Sequence, residues 1–409
     1  MNARSTQTRL FAFALSSAVF FALLFVRADA SKQQEPGQQQ RPRTVGSNQN
    51  TNRPQPQPTN SSSEEVDEGD VVRVETQLVT VPAVVADKTG RPISTLRQEN
   101  FTVLEDGQPQ RLTNFATTEA PFEIALLLDT SGSTREELGL IRDAANAFLS
   151  ALRAGDRVAI IGFNNSRGAN GTVATVEVLS SLTDKRTVLR SAIATLGTSN
   201  GTPFYDALDR VADEVFRSAA TEQFRGRRAV VALTDGVDSS SNSDYNTARA
   251  KLADAGVATY FIQVSTEDYV EDRLLKDCQD DGRLTLSAKQ LERFRQLFVP
   301  GAQKEDYADF CRLGQFERMD ISRQLYNLAR REMGELARSS GGKNFSAASL
   351  GEARAAFAEV ANEIGTQYSL GYYPSNKTRD GRFRQIKVEL RGVKDASVRA
   401  RDGYYAPKQ

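Results

Sequence analysis

The chain predicts an α/β fold: a doubly wound, mostly parallel six-stranded sheet, inserted in a small β-sandwich-like module formed by the N- and C-terminal segments. Two observations carry that prediction. Short apolar runs near 122–129, 157–163, 172–178, 228–234, 257–264 and 343–346 alternate with helical patterns, as a sheet covered on both faces requires. Period-two alternation marks 71–116 and 367–409, where strands with one buried face are expected.

Taken in order, Arg4 and Arg9 precede an apolar stretch from Leu10 to Val26, and Ala28-Asp29-Ala30 matches a small-x-small cleavage site. Residues 1–30 therefore read as a secretory signal peptide, with an uncleaved membrane anchor as the alternative. Export would place the protein in the periplasm, on the cell surface or outside the cell. Residues 31–70 are rich in Gln, Pro and Ser and close on an acidic run, so they read as a disordered linker that buries too little apolar surface to order.

In residues 71–116, Val72, Val74, Thr76, Leu78, Thr80 and Val84 alternate with polar neighbours, and Glu105-Asp106-Gly107 is a turn signal. Some forty residues of strand and turn make a poor independent unit, and the surface they need is expected in 367–409. There, Tyr368 to Tyr373, Gln385 to Leu390 and Val398 to Tyr405 read as three strands.

Between these blocks, 120–366 carries the α/β pattern. Leu138, Ile141, Ala145, Phe148 and Leu152 follow the helical period, as do Phe204, Leu208, Val211 and Val215, and then Leu350, Ala353, Phe357, Val360 and Ile364. These stripes are core. Thr172 to Val178 reads as a short antiparallel edge strand. Residues 266–322 are an insertion after the strand ending at Val264, with the next helix expected near Arg323. The insertion follows a strand's carboxyl end and could frame a site there, or be a helical hairpin clipped by Cys278 and Cys311.

Composition excludes several functions. Formal charge is zero, from 52 basic and 52 acidic residues, so no broad basic face for nucleic acid or anionic lipid is implied. The absence of histidine excludes Ser-His-Asp and Cys-His hydrolysis and His-ligated zinc. Cys278 and Cys311 are too few for a structural zinc site; after export they could pair, or remain free thiols.

The informative motif is Asp129-Thr130-Ser131-Gly132-Ser133 at the end of the apolar run Phe122 to Leu128. A carboxylate and two hydroxyls at alternate positions can aim oxygens into one crevice, and oxygen donors suit a hard divalent cation. Thr202, before Pro203, offers another hydroxyl, and Asp235, after the run Ala229 to Leu233, another carboxylate. Each has a plainer reading: Ser133 with Glu136 as a capping box, Thr202 as an N-cap, Asp235-Gly236 as a turn.

Together these residues resemble the von Willebrand factor type A domain, whose metal-ion-dependent adhesion site is an Asp-x-Ser-x-Ser sequence, a later Thr and an Asp after the fourth strand. Asp129, Ser131, Ser133, Thr202 and Asp235 match that pattern. Phe101 to Phe115, the YSLGYYPSN stretch from Tyr368 and the VRARDGYYAP stretch from Val398 further resemble the related domain found in many copies in acidobacterial genomes.

The resemblance implies that Ser131, Ser133 and Thr202 approach a Mg2+ (or Mn2+) ion directly, with Asp129 and Asp235 holding it directly or through water. It implies adhesion without catalysis, in which a protein ligand supplies a carboxylate to an open coordination position. It also implies that the last helix, about Leu350 to Gly365, can shift between closed and open forms. Two other classes stand beside it: a structural envelope protein that binds through its β-module, and a magnesium-dependent hydrolase or phosphotransferase. Against the last, no general base stands beside the motif, and Asp-x-Ser lacks the second Asp of DxD phosphotransferases.

Overall fold

Pro82 lies inside a strand yet costs no ladder bond. The computed structural model describes residues 78–116, 120–131, 137–168, 171–224, 226–278 and 284–408. Its first strand, β1 (Val79–Asp87), pairs with one neighbour through residues 79–83 and with a second from Ala83 onward, so the missing N–H of Pro82 falls where one side is open. Strands β2 (Phe101–Glu105), β3 (Gln108–Gln110) and β4 (Leu112–Ala116) complete the N-terminal block. The signal-peptide and linker expectations, together with Ser133 and Glu136, lie outside the described residues.

The central sheet follows, with β5 (Glu123–Leu128), β6 (Arg157–Gly168), β7 (Gly171–Thr183), β8 (Arg228–Thr234), β9 (Ala258–Val264) and β10 (Lys343–Ala347). Their order is β10-β9-β8-β5-β6-β7; all neighbours are parallel except the β6–β7 pair. β5 is buried at every position because both of its faces are covered. Ile124, Leu126 and Leu128 join one apolar cluster, and Ala125 and Leu127 join the opposite one.

The first cluster is closed by α1 (Leu138–Ala151), α2 (Arg186–Ala194) and the helix at 353–365; the second by α3 (Phe204–Arg210), α4 (Tyr245–Asp254) and the helix at 315–340. α3 runs into a single π turn, Val211–Val215, so the expected stripe continues with altered hydrogen bonding. The edge strand β7 is 13 residues long, against the short one expected, because it forms a hairpin with the whole length of β6.

After β9 the chain leaves the sheet as α5 (Glu267–Leu274) and α6 (Ala288–Phe298), then re-enters through the 26-residue α7 (Gln315–Ser340). This helix starts eight residues before the expected Arg323. Its first turns belong to the inserted unit: Ile321 and Leu325 share a separate apolar cluster with Leu274, Leu291, Phe294 and Phe310. Cys278 and Cys311 are disulfide-bonded within that unit. The last helix is α8 (Ala353–Gly365).

The C-terminal segment gives β11 (Tyr368–Tyr372), β12 (Phe383–Leu390), β13 (Ala396–Ala400) and β14 (Gly403–Tyr405). The run Val398 to Tyr405 was expected as one strand and is two, because the chain switches sheets at 401–402. β13 pairs with β1, and β14 pairs with β12. The two antiparallel sheets are β13-β1-β11-β4 and β14-β12-β2-β3, each mixing N- and C-terminal strands around one core that includes Val81, Val103, Leu370 and Val388. Within it the buried Glu105 carboxylate accepts from the Tyr372 hydroxyl at 2.7 Å and the Tyr404 hydroxyl at 3.0 Å.

Deleting residues 78–116 should therefore strip β11 of both its partners and leave β12 only the short β14. Limited proteolysis is expected to cut first within 368–405, with the central α/β segment surviving longer; a C-terminal segment that stays resistant would contradict the shared core.

Candidate functional site

The chain runs outward from β5 to β6 and β7, then returns to place β8 on the other side of β5, so the sheet's order reverses at β5. Crevices outside the carboxyl ends of strands at such a reversal are where open α/β sheets place ligands. Leu128 and Leu233 are paired there, and the Asp129 amide still donates to the Leu233 carbonyl at 2.9 Å. Asp129 and Asp235, the residues at these two strand ends, are 1% and 4% exposed.

Each carboxylate is held on both oxygens. Asp129 Oδ1 accepts from the Ser131 amide at 3.0 Å and Oδ2 from the Thr234 hydroxyl at 2.6 Å. Asp235 Oδ1 accepts from the Val237 amide at 3.0 Å and Oδ2 from the Thr266 hydroxyl at 2.6 Å, and that hydroxyl lies 2.7 Å from the Tyr326 hydroxyl. These bonds orient the two groups. Burial, and next the charge of Asp235, push the Asp129 carboxyl up to about 6; the Thr234 and Ser131 bonds pull the other way.

Ser131 is buried beside Asp129, and Thr202 is buried one loop away. That loop is tied to both strand ends: the Ser199 amide donates to Thr130 O at 2.9 Å, and the Thr202 amide donates to Ser239 Oγ at 2.8 Å, with Ser239 N returning a bond to Thr202 O at 3.0 Å. The contact is close. A Cβ on Gly201 would lie 3.2 Å from Ser239 Oγ and 3.1 Å from Ser240 Oγ.

Gly236 carries φ +74°, and a side chain there would run into the Met333 thioether, so glycine is required at the turn after Asp235. The structure thus brings Asp129, Ser131 and Asp235 to one pair of strand ends and fixes the Thr202 loop against them. Ser133 falls outside the described residues.

Thr202 is not an N-cap: α3 begins at Phe204 with Pro203 in the cap position. The cap comes from elsewhere, because Asp238 Oδ1 accepts from the Phe204 amide at 2.9 Å. Burial pushes this carboxyl up to about 6, against its hydrogen bonds with Ser241 and Phe204. Asp206 in turn accepts from the Asn242 and Ser243 amides. Sequence reading missed the roles of Thr234, Asp238, Ser239, Thr266 and Tyr326. Thr234 stands next to a motif residue, but the others act across 31 to 60 positions and leave no local pattern.

Among the described residues no group of three or more His, Cys, Asp or Glu side chains could hold a metal, so a cation here would depend on hydroxyls as well as on Asp129 and Asp235. No helix among them is long and apolar enough to cross a membrane.

Residues 123–297 match the family model of the von Willebrand factor type A domain. Solved structures similar to the chain include BatB, a conserved hypothetical protein of Bacteroides thetaiotaomicron (14% identity, 59% of this chain and 98% of that one, TM-score 0.36). Others are a von Willebrand factor type A protein from Catenulispora acidiphila (10% identity, 82% and 75%, TM-score 0.38) and the pilus adhesin SpaC of Lactobacillus rhamnosus GG in its open conformation (12%, 75% and 48%, TM-score 0.36). No curated protein matches the chain.

The paired carboxylates of Asp129 and Asp235 set a pH dependence in the presence of chelator. Asp129 binds its proton more tightly folded than unfolded, so its contribution to stability is complete below the ordinary value of 3.8 and is lost as pH rises through about 6. The loss is on the order of 3 kcal/mol. Asp129→Asn is expected to raise the thermal midpoint at pH 8 by several degrees and to change little at pH 4; parallel profiles for the two proteins would contradict the burial argument.

Proposed function

We propose that the chain is an exported, non-enzymatic binding protein whose type A domain engages a protein ligand through a divalent cation. Asp129, Ser131, Ser133, Thr202 and Asp235 would hold magnesium or manganese, with Ser133 entering from the motif alone. The observation that carries this reading is the pair of buried carboxylates at adjacent strand ends, where burial, and next the charge of Asp235, raise the proton affinity of Asp129. A divalent cation offsets that like-charge repulsion, and an all-oxygen donor set of carboxylates and hydroxyls suits a hard one.

When bound, the cation supplies an electrophilic position for a carboxylate from the partner. The chain's own residues do the rest. Thr234 and Thr266 orient the two carboxylates, Ser239 and Gly201 set the position of the Thr202 loop, and burial excludes water from the back of the crevice.

Calorimetry tests the reading. Magnesium or manganese is expected to bind the purified protein, and Asp129→Ala to abolish the heat; absence of binding to the unsubstituted protein would return the motif to turns and caps. A second reading, binding through the β-module, is favoured by Tyr373, Phe383 and Tyr405, which are 48%, 48% and 42% exposed. It requires that partner capture survive Asp129→Ala.

A further inference from the structure

The inserted unit between β9 and α7 touches the metal-site loops at its entry and at its middle. At its entry, Thr266 donates to Asp235 Oδ2 at 2.6 Å and lies 2.7 Å from Tyr326, which α7 supplies where the chain returns. At its middle, the start of α6 grips the loop behind Thr202. Ser287 Oγ donates to Ser239 O at 2.6 Å, and Lys289 Nζ donates to Ser240 O at 2.9 Å, Ser241 O at 2.6 Å and Asn242 Oδ1 at 2.9 Å.

α6 is itself anchored. Arg293 donates to both oxygens of Glu332 on α7 at 2.7 and 2.8 Å, and Glu332 also accepts from the Tyr205 hydroxyl of α3. Arg293 stacks on the Tyr205 ring, with its guanidinium carbon 4.8 Å from the centroid. The pair is mostly buried, with side-chain exposures of 22% and 13%, so truncating either partner would strand a charge.

We propose that the inserted unit is a brace that sets the geometry of the cation site, with Thr266 positioning Asp235, Ser287 holding Ser239 beside Thr202, and Lys289 holding the residues that follow, 240–242. The inference rests on the metal reading above and adds to it that affinity is set by residues outside the motif. Partners that orient first ligands are commonly worth ten- to a hundredfold in metal affinity.

Two residues separate the brace from general stability. Thr266 can be replaced by the isosteric Val, which removes the hydroxyl and keeps the volume. Lys289 is exposed at the surface, so Lys289→Met removes three hydrogen bonds to one loop without opening a core.

The experiment uses the full chain and Mn2+ as the probe. Manganese affinity is measured by electron paramagnetic resonance, and amide exchange is measured in the metal-free protein. Thr266→Val is expected to weaken manganese binding about tenfold, with Thr266→Ser restoring it. Lys289→Met is expected to weaken binding and, without metal, to speed exchange at the Thr202 and Ser239 amides while those of β5 and β8 stay protected.

If both variants bind manganese as the unsubstituted protein does, the brace is wrong and the metal reading stands. If the unsubstituted protein binds no manganese, the metal reading fails and the brace with it. Equal losses in Thr266→Val and Thr266→Ser would also overturn the positioning role, since serine keeps the native hydroxyl and valine does not.

Discussion

Two carboxylates share one buried crevice, and the surrounding structure is arranged around that constraint. Asp129 and Asp235 sit at the ends of neighbouring parallel strands, and both are buried there. Their mutual repulsion is contained by hydroxyl donors from Thr234 and Thr266 and by amides of the following turns. The sheet order, the glycine at 236 and the returning α7 all serve to place those donors.

The same constraint explains the loops. A crevice at the reversal of strand order is open above, so its rim must come from connections. Here the 199–202 loop, the 236–243 loop and the inserted unit interlock by backbone-directed bonds: Ser199 to Thr130, Thr202 to Ser239, Asp238 to Phe204, Asp206 to Asn242 and Ser243, and Lys289 to three acceptors. Strand ends and interlocked loops together confine the Asp129 and Asp235 carboxylates.

Much of the fold was legible because it rests on local periodicity. The six sheet strands announced themselves as apolar runs, since a strand covered on both faces must be apolar at successive positions, as Ile124 to Leu128 are. The pairing of the N- and C-terminal blocks followed from their inability to cover their own faces. What stayed hidden depends on contacts distant in sequence: α7 begins at Gln315 because its first turns pack into the inserted unit's own cluster, and Val398 to Tyr405 breaks because two different sheets claim its halves. In the site, the motif residues were visible and their supports were not, since Thr266 and Ser239 carry no pattern that distinguishes them from ordinary loop hydroxyls.

The central claim is that Asp129 and Asp235 face one cation. The direct measurement is anomalous diffraction at the manganese edge from crystals of the full chain soaked in Mn2+. The account predicts a single strong peak between the Asp129 and Asp235 carboxylates, within reach of the Ser131 and Thr202 hydroxyls; crystals with no peak there, or with manganese bound only at other surfaces, would contradict it.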